Sequence, residues 1–150
     1  MRIKLNLSET AKILLRKMPD LIIPSIYKGM KEAMLLAERT AKGTYLSGKA
    51  LQRRTGRLRG SITQDVKIEG NKVVGTIGTD VVYGRIHELG GVIKPKKAKL
   101  LRFRIPGVGW RSAKEVIMPA RPFLRPSLDD NMSDITRILS SRIEEAFRKI

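Results

Sequence analysis

The chain has 150 residues, 41% of them apolar and only 5% aromatic, with no cysteine and a net charge of +17. That suits one domain with a core of Ile, Leu, Val, Met and Ala. The lack of cysteine excludes disulfides, thiolate chemistry and cysteine-ligated zinc, and fits a reducing compartment.

The charge is unevenly spread. Lys42–Gly60 carries six basic residues and no acid, and Lys94–Pro126 carries ten against Glu115 alone, so the two segments hold +15 of the +17. Such clusters attract polyanions through counterion release: nucleic acid, an acidic protein surface or an anionic membrane face. A merely solvated surface is the plainer alternative. The first residues, MRIKLNLSETAK, show neither a long apolar run nor a small-residue cleavage site, so no signal peptide is expected. No apolar stretch approaches the roughly 20 residues of a membrane span.

In chain order, Arg2–Leu7 alternates, with Ile3, Leu5 and Leu7 on one side, and predicts a short strand. Ser8 is placed to cap a short helix from Glu9 to about Met18, stopped by Pro19. Pro24 suits the first turn of a second helix whose Ile26, Met30, Ala33, Ala37 and Ala41 form an apolar stripe, with Gly43 as its terminator. Residues 43–59 read as a long basic loop, self-repelling when alone and mobile until a partner orders it. Ser61–Glu69 and Lys72–Thr79 alternate around Gly70-Asn71, a hairpin signal, with Ile62, Val66 and Ile68 on one face and Val73 and Ile77 inward on the return.

Asp80 is placed to cap a helical turn from Val82 to Leu89, closed by Gly90-Gly91. Lys99–Ile105 predicts a strand, Pro106–Gly109 a turn, and Ala113–Met118 a last strand. Three prolines, Pro119, Pro122 and Pro126, then make residues 118–126 a stiff extended arm. Phe123 and Leu124 are its anchors, flanked by Arg121 and Arg125; they plug the core or also organise an assembly. A final helix over residues 126–149 carries Leu128, Met132, Ile135, Leu139, Ile143, Ala146 and Ile150 as a continuous seam, packed on the sheet or on a neighbouring subunit. The fold class expected is α+β, an antiparallel sheet of about four strands against two longer helices, in one domain.

Positive support for an enzyme is absent. His87 is the only histidine, and the residue four positions on, where a zinc-protease helix needs its second ligand, is Gly91. No nucleophile elbow and no phosphate-cradling glycine loop occurs. His87 reads as a structural residue beside Tyr83, and neither a metal nor a cofactor is expected.

Three pieces stand in order: TGRLRGSI (Thr55–Ile62), VGTIGTDVVYGRIHELGG (Val74–Gly91) and MPARPFLRPSL (Met118–Leu128). Their order and spacing resemble the tail-completion and minor tail component family of long-tailed bacteriophages, and are similar to the virion morphogenesis proteins of Mu-like phages. The family commonly has a small residue after the tyrosine and an aromatic after the glutamate. Here Gly84 and Leu89 stand there, mild departures that read as packing swaps, and Lys94–Arg111 is longer and more basic than in the simplest members.

The resemblance implies a small structural subunit that joins a ring at the head–tail junction or the head-proximal end of the tail. Its partners would be other neck and tail proteins, with DNA contact incidental and no membrane. Its place would be the virion, and the host cytoplasm during assembly. A basic nucleic-acid-binding module is the alternative. Arg53, Arg54, Arg57, Arg59, Lys96, Lys97, Arg121, Phe123 and Arg125 are the expected assembly contacts. Gly56, Tyr83, His87, Glu88, Gly90, Pro119 and Pro122 are the expected structural positions of the motifs.

Overall fold

The computed structural model describes residues 1–5, 19–52 and 55–149. The elements are β1 (Arg2–Leu5), α1 (Pro19–Thr40), α2 (Arg57–Ser61), β2 (Ile62–Glu69), β3 (Lys72–Thr79), α3 (Gly84–Leu89), β4 (Gly91–Ile93), β5 (Leu101–Ile105), β6 (Gly109–Ala113), β7 (Val116–Met118), α4 (Leu124–Asp129) and α5 (Met132–Phe147). The expected Ser8 cap, the Glu9–Met18 helix, Arg53, Arg54 and Ile150 lie outside the described residues.

α1 is the middle layer. Ile22, Ile26, Met30, Ala33, Met34 and Ala37 are each at most 1% exposed. They cover more than one stripe, because one side of the helix lies on β2 and β3 and another on α5. The sheet side is close-packed: a Cβ on Gly75 of β3 would lie 2.8 Å from Met34 Cγ and 2.9 Å from Met30 Sδ. On the other side Gly29 lets α5 approach, with Leu139 Cδ2 3.3 Å from where a Cβ would sit.

The sheet is antiparallel in the order β1–β3–β2. Its hairpin pairs Ile62 with Thr79 through Glu69 with Lys72, and Gly70 takes the positive φ (59°) at the first turn position. Ile62, Val66, Val73 and Ile77 are buried as the alternation requires. Ile68 is not: it is 50% exposed, close to the hairpin turn.

The α+β class and the two longer helices, α1 and α5, match the expectation, but the sheet does not have four strands. Among the described residues it has three, and the later strands form two separate ribbons, β4–β7 and β5–β6. The single last strand expected over 113–118 divides: Gly109–Ala113 pairs back on β5, while Val116–Met118 pairs with β4. Short strands joined by a tight turn pair with each other at least loop-closure cost, instead of extending a distant sheet edge.

α1 opens at Pro19, so Pro24 falls inside the helix rather than in its first turn. A proline at the first position costs nothing, since its missing N–H would be unpaired there anyway. Gly43 does not end the helix. The chain winds on in a wider turn over Ala41–Lys49, broken at Gly48 (φ 138°). Tyr45 and Leu46 of this stretch are buried and Arg57–Ser61 is helical, so residues 43–59 are not a featureless loop.

The C-terminal seam is broken too. α4 and α5 are separate helices, and Asn131 between them is buried, donating from Nδ2 to Ser127 O (2.7 Å) and Thr40 Oγ1 (2.9 Å). The break turns Met132 outward, 40% exposed, while Ile135, Leu139 and Ala146 stay buried. The seam packs on α1, not on the sheet.

Candidate functional site

The three motif pieces, far apart in sequence, meet at one junction. Its centre is Glu88, 4% exposed on α3. Glu88 Oε2 accepts from the backbone N–H of Phe123 (2.8 Å) and Leu124 (2.9 Å), and Oε1 from that of Arg125 (2.9 Å). These are among the N–H groups that a helix start leaves without partners, and Glu88 satisfies them from another element. Its negative charge also suits the positive end of α4.

Two more links hold the same pieces. Arg121 N donates to His87 O at 2.7 Å. Gly91–Ile93 pairs antiparallel with Val116–Met118. Gly90 must be glycine here: its φ is 69°, and a Cβ would sit 2.7 Å from Ala120 N and 3.0 Å from Met118 O. Pro119 and Pro122 are exposed in the extended run between β7 and α4, which demands no N–H from them. The helix begins at Leu124, two residues before Pro126, so the arm is shorter than expected.

The first motif closes the other side. Gly56 takes a left-handed φ of 76° before α2, and Gly60 N donates to Gly56 O at 2.8 Å. Ser61 Oγ and Thr79 Oγ1 are 2.6 Å apart, and Val81 N donates to Thr79 Oγ1 at 3.1 Å. The expected Asp80 cap does not form. Asp80 is exposed and stands 3.7 Å from Arg2, while α3 starts after Tyr83 without a side-chain cap. Thr79, 1% exposed, was missed by sequence reasoning; a threonine at the end of an alternating strand gives no sign that its hydroxyl will be buried.

Between these pieces lies an open groove of about 420 Å³, with Leu46, Leu51, Leu58, Tyr83 and His87 in its walls. His87 meets Tyr83 edge to face, ring centroids 6.0 Å apart. Its Nδ1 is buried without a hydrogen-bond partner. Burial, and secondarily the charge of Arg121, push its pKa below the ordinary value. Among the described residues no group of three His, Cys, Asp or Glu side chains could hold a metal. No described helix is long and apolar enough to cross a membrane.

The expected assembly contacts that lie among the described residues differ in setting. Phe123 is fully buried in the subunit core, so it anchors the fold and presents no surface. Arg125 is exposed and pairs with Asp129 at 3.5 Å. Arg57 is exposed, whereas Arg59 is half-buried and donates from Nε to Lys42 O at 2.9 Å. Lys96, Lys97 and Arg121 are exposed along the segment that runs from α3 to α4.

This geometry defines a mixed α+β subunit whose motif residues serve to dock one chain segment on another. The family model described as the phage virion morphogenesis family matches residues 27–146, from α1 almost to the end of α5. The chain belongs to that family, and its role lies in building the phage virion together with other phage structural proteins. No curated protein and no solved structure matches the chain.

Proposed function

We propose that the chain is a ring subunit at the head–tail junction or the head-proximal end of the tail, where it completes the tail and joins it to the head. One observation carries this reading. No residue from 89 to 122 is buried, yet Leu89, Val92, Val108, Trp110 and Ile117 within that stretch are each at least 50% exposed. A folded subunit that holds so much apolar surface in the open is suited to being covered by neighbours. In a ring, one patch on each copy meets a different patch on the next. The extended segment supplies one such patch and the body the other.

The basic residues of 53–59 fit the same reading by meeting acidic surfaces of neighbouring virion proteins. The decisive measurement is the mass of the species in solution, alone and mixed with a tail-tube protein. Rings or a mixed complex are expected, and a monomer under both conditions would overturn the proposal. Replacing Arg53, Arg54, Arg57 and Arg59 with Ser should leave folding intact and lower head-to-tail joining in a mixed lysate. Joining at the wild-type level would remove the basic stretch from the interface.

A further inference from the structure

The β5–β6 ribbon has two unlike faces. Directly paired residues share a face, so Leu101, Phe103 and Ile105 lie on one side with Ala113, Arg111 and Gly109 opposite them. Arg102 and Arg104 lie on the other, opposite Ser112 and Trp110. On that second face all four residues are exposed, and Trp110 is 60% exposed. The Arg102 guanidinium lies over the Trp110 ring, 5.2 Å from its centroid. Among the described residues no other element packs extensively along the ribbon.

The charge around it is one-sided. Residues 91–118 carry eight basic side chains and one acid, Glu115, which is 3.6 Å from Lys94. Among the described residues, Lys96, Lys97, Lys99, Arg102, Arg104, Arg111 and Lys114 have no carboxylate within ion-pair distance. On the body, by contrast, Arg137, Arg142 and Lys149 are paired with acids. The ribbon of a second copy brings the same positive charge and is repelled from this face.

We infer that the Arg102–Arg104–Trp110 face of the β5–β6 ribbon is a contact for duplex DNA, reading backbone and groove shape without reading sequence. A two-stranded ribbon is one of the few elements narrow enough for the major groove. Arg102 and Arg104 are two residues apart on one strand, so they project the same way about 6.8 Å apart. That spacing suits successive phosphates, which each guanidinium can take with two N–H groups. Trp110, already stacked on Arg102, gives the face a flat edge for the sugar–phosphate wall. An acidic protein surface would satisfy the charge, but it makes no use of a narrow, regular ribbon.

The chain's single tryptophan reports on this face directly. The experiment titrates the full chain with a mixed-sequence duplex oligonucleotide, following DNA anisotropy and Trp110 emission at several salt concentrations. Binding should change the emission and weaken steeply with salt. Arg102→Ser with Arg104→Ser should weaken it at least about tenfold and flatten the slope of log K against log salt by about 1.8, at roughly 0.9 per lost phosphate contact. Arg137→Ser with Lys149→Ser, a charge-matched control on α5 and the turn that follows it, should change affinity less than about twofold. Three results would overturn the inference: equal losses in the two double variants, DNA binding without any change in Trp110 emission, or poly-glutamate binding as tightly as the duplex, which would assign the face to an acidic protein. The assay reads the subunit against DNA alone, so failure of the ring proposal leaves its outcome unchanged.

Discussion

Two regions of this molecule are made by different physics. The body, α1 and the 41–49 turn with the three-stranded sheet, Phe123, α4 and α5, contains all the buried apolar side chains among the described residues. The extended segment 89–122 contains none; β4–β7 and β5–β6 hold it by ladder hydrogen bonds, and the Glu88 junction holds it to the body. Burial stabilises the first region by removing about 25 cal/mol of unfavourable hydration per Å² of apolar surface. The second gains little from burial and carries a net +7 over residues 91–118. Changes in the body should therefore be read in stability, and changes in the segment in what the protein binds.

The largest effect should come from Phe123→Ala. Phe123 is fully buried, and such truncations cost about 3–5 kcal/mol. Denaturant unfolding followed by circular dichroism checks this. A wild-type midpoint would detach Phe123 from the core and blur the boundary between the regions.

Glu88→Ala comes next. It leaves the N–H groups of Phe123 and Leu124 buried without acceptors, with an expected loss of about 2–3 kcal/mol. Hydrogen exchange should then speed up at Phe123, Leu124 and Arg125 before the sheet is affected. If exchange rose equally over β2 and β3, the junction would be part of the body and not a clip upon it.

His87 should give a smaller, pH-dependent effect. Its folded pKa lies below the ordinary value of 6.5, so the unfolded chain takes up its proton first as pH falls. The stability tied to neutral His87 is full above pH 6.5 and declines as pH falls below it toward the folded pKa. Between pH 7.5 and pH 5, about the range in which histidine titrates, wild type should lose more melting temperature than His87→Gln. Parallel curves would show that burial of this ring costs nothing.

The smallest stability effect should come from the segment itself. Ile105→Ser with Val108→Ser, both in the open, should shift stability by no more than about 0.5 kcal/mol. The same variant should fail to form rings or mixed complexes, seen as a shift of sedimentation toward the monomer. Loss of stability with assembly unchanged would reverse the roles of the two regions.

Local pattern determined much of the body. Alternation around Gly70-Asn71 specified the β2–β3 hairpin because register there is set by a two-residue turn and a period of two. The stripe from Ile26 to Ala41 marked α1 because burial on a helix repeats every three to four residues. The order of the three motifs was enough to indicate the phage family.

Other features were decided only in three dimensions. That α1 is covered on two sides, that Asn131 breaks the C-terminal seam to reach Thr40, and that Glu88 caps a helix beginning 36 residues later all depend on contacts between distant segments. The ribbons belong with these. β4 and β7 are three residues each, too short for periodicity to identify, and pairing over such a distance is paid for in chain entropy that only a docked partner segment can offset. Local sequence encodes the preferences of neighbouring residues, whereas a hydrogen bond between Glu88 and Phe123 exists only once the intervening chain has folded back.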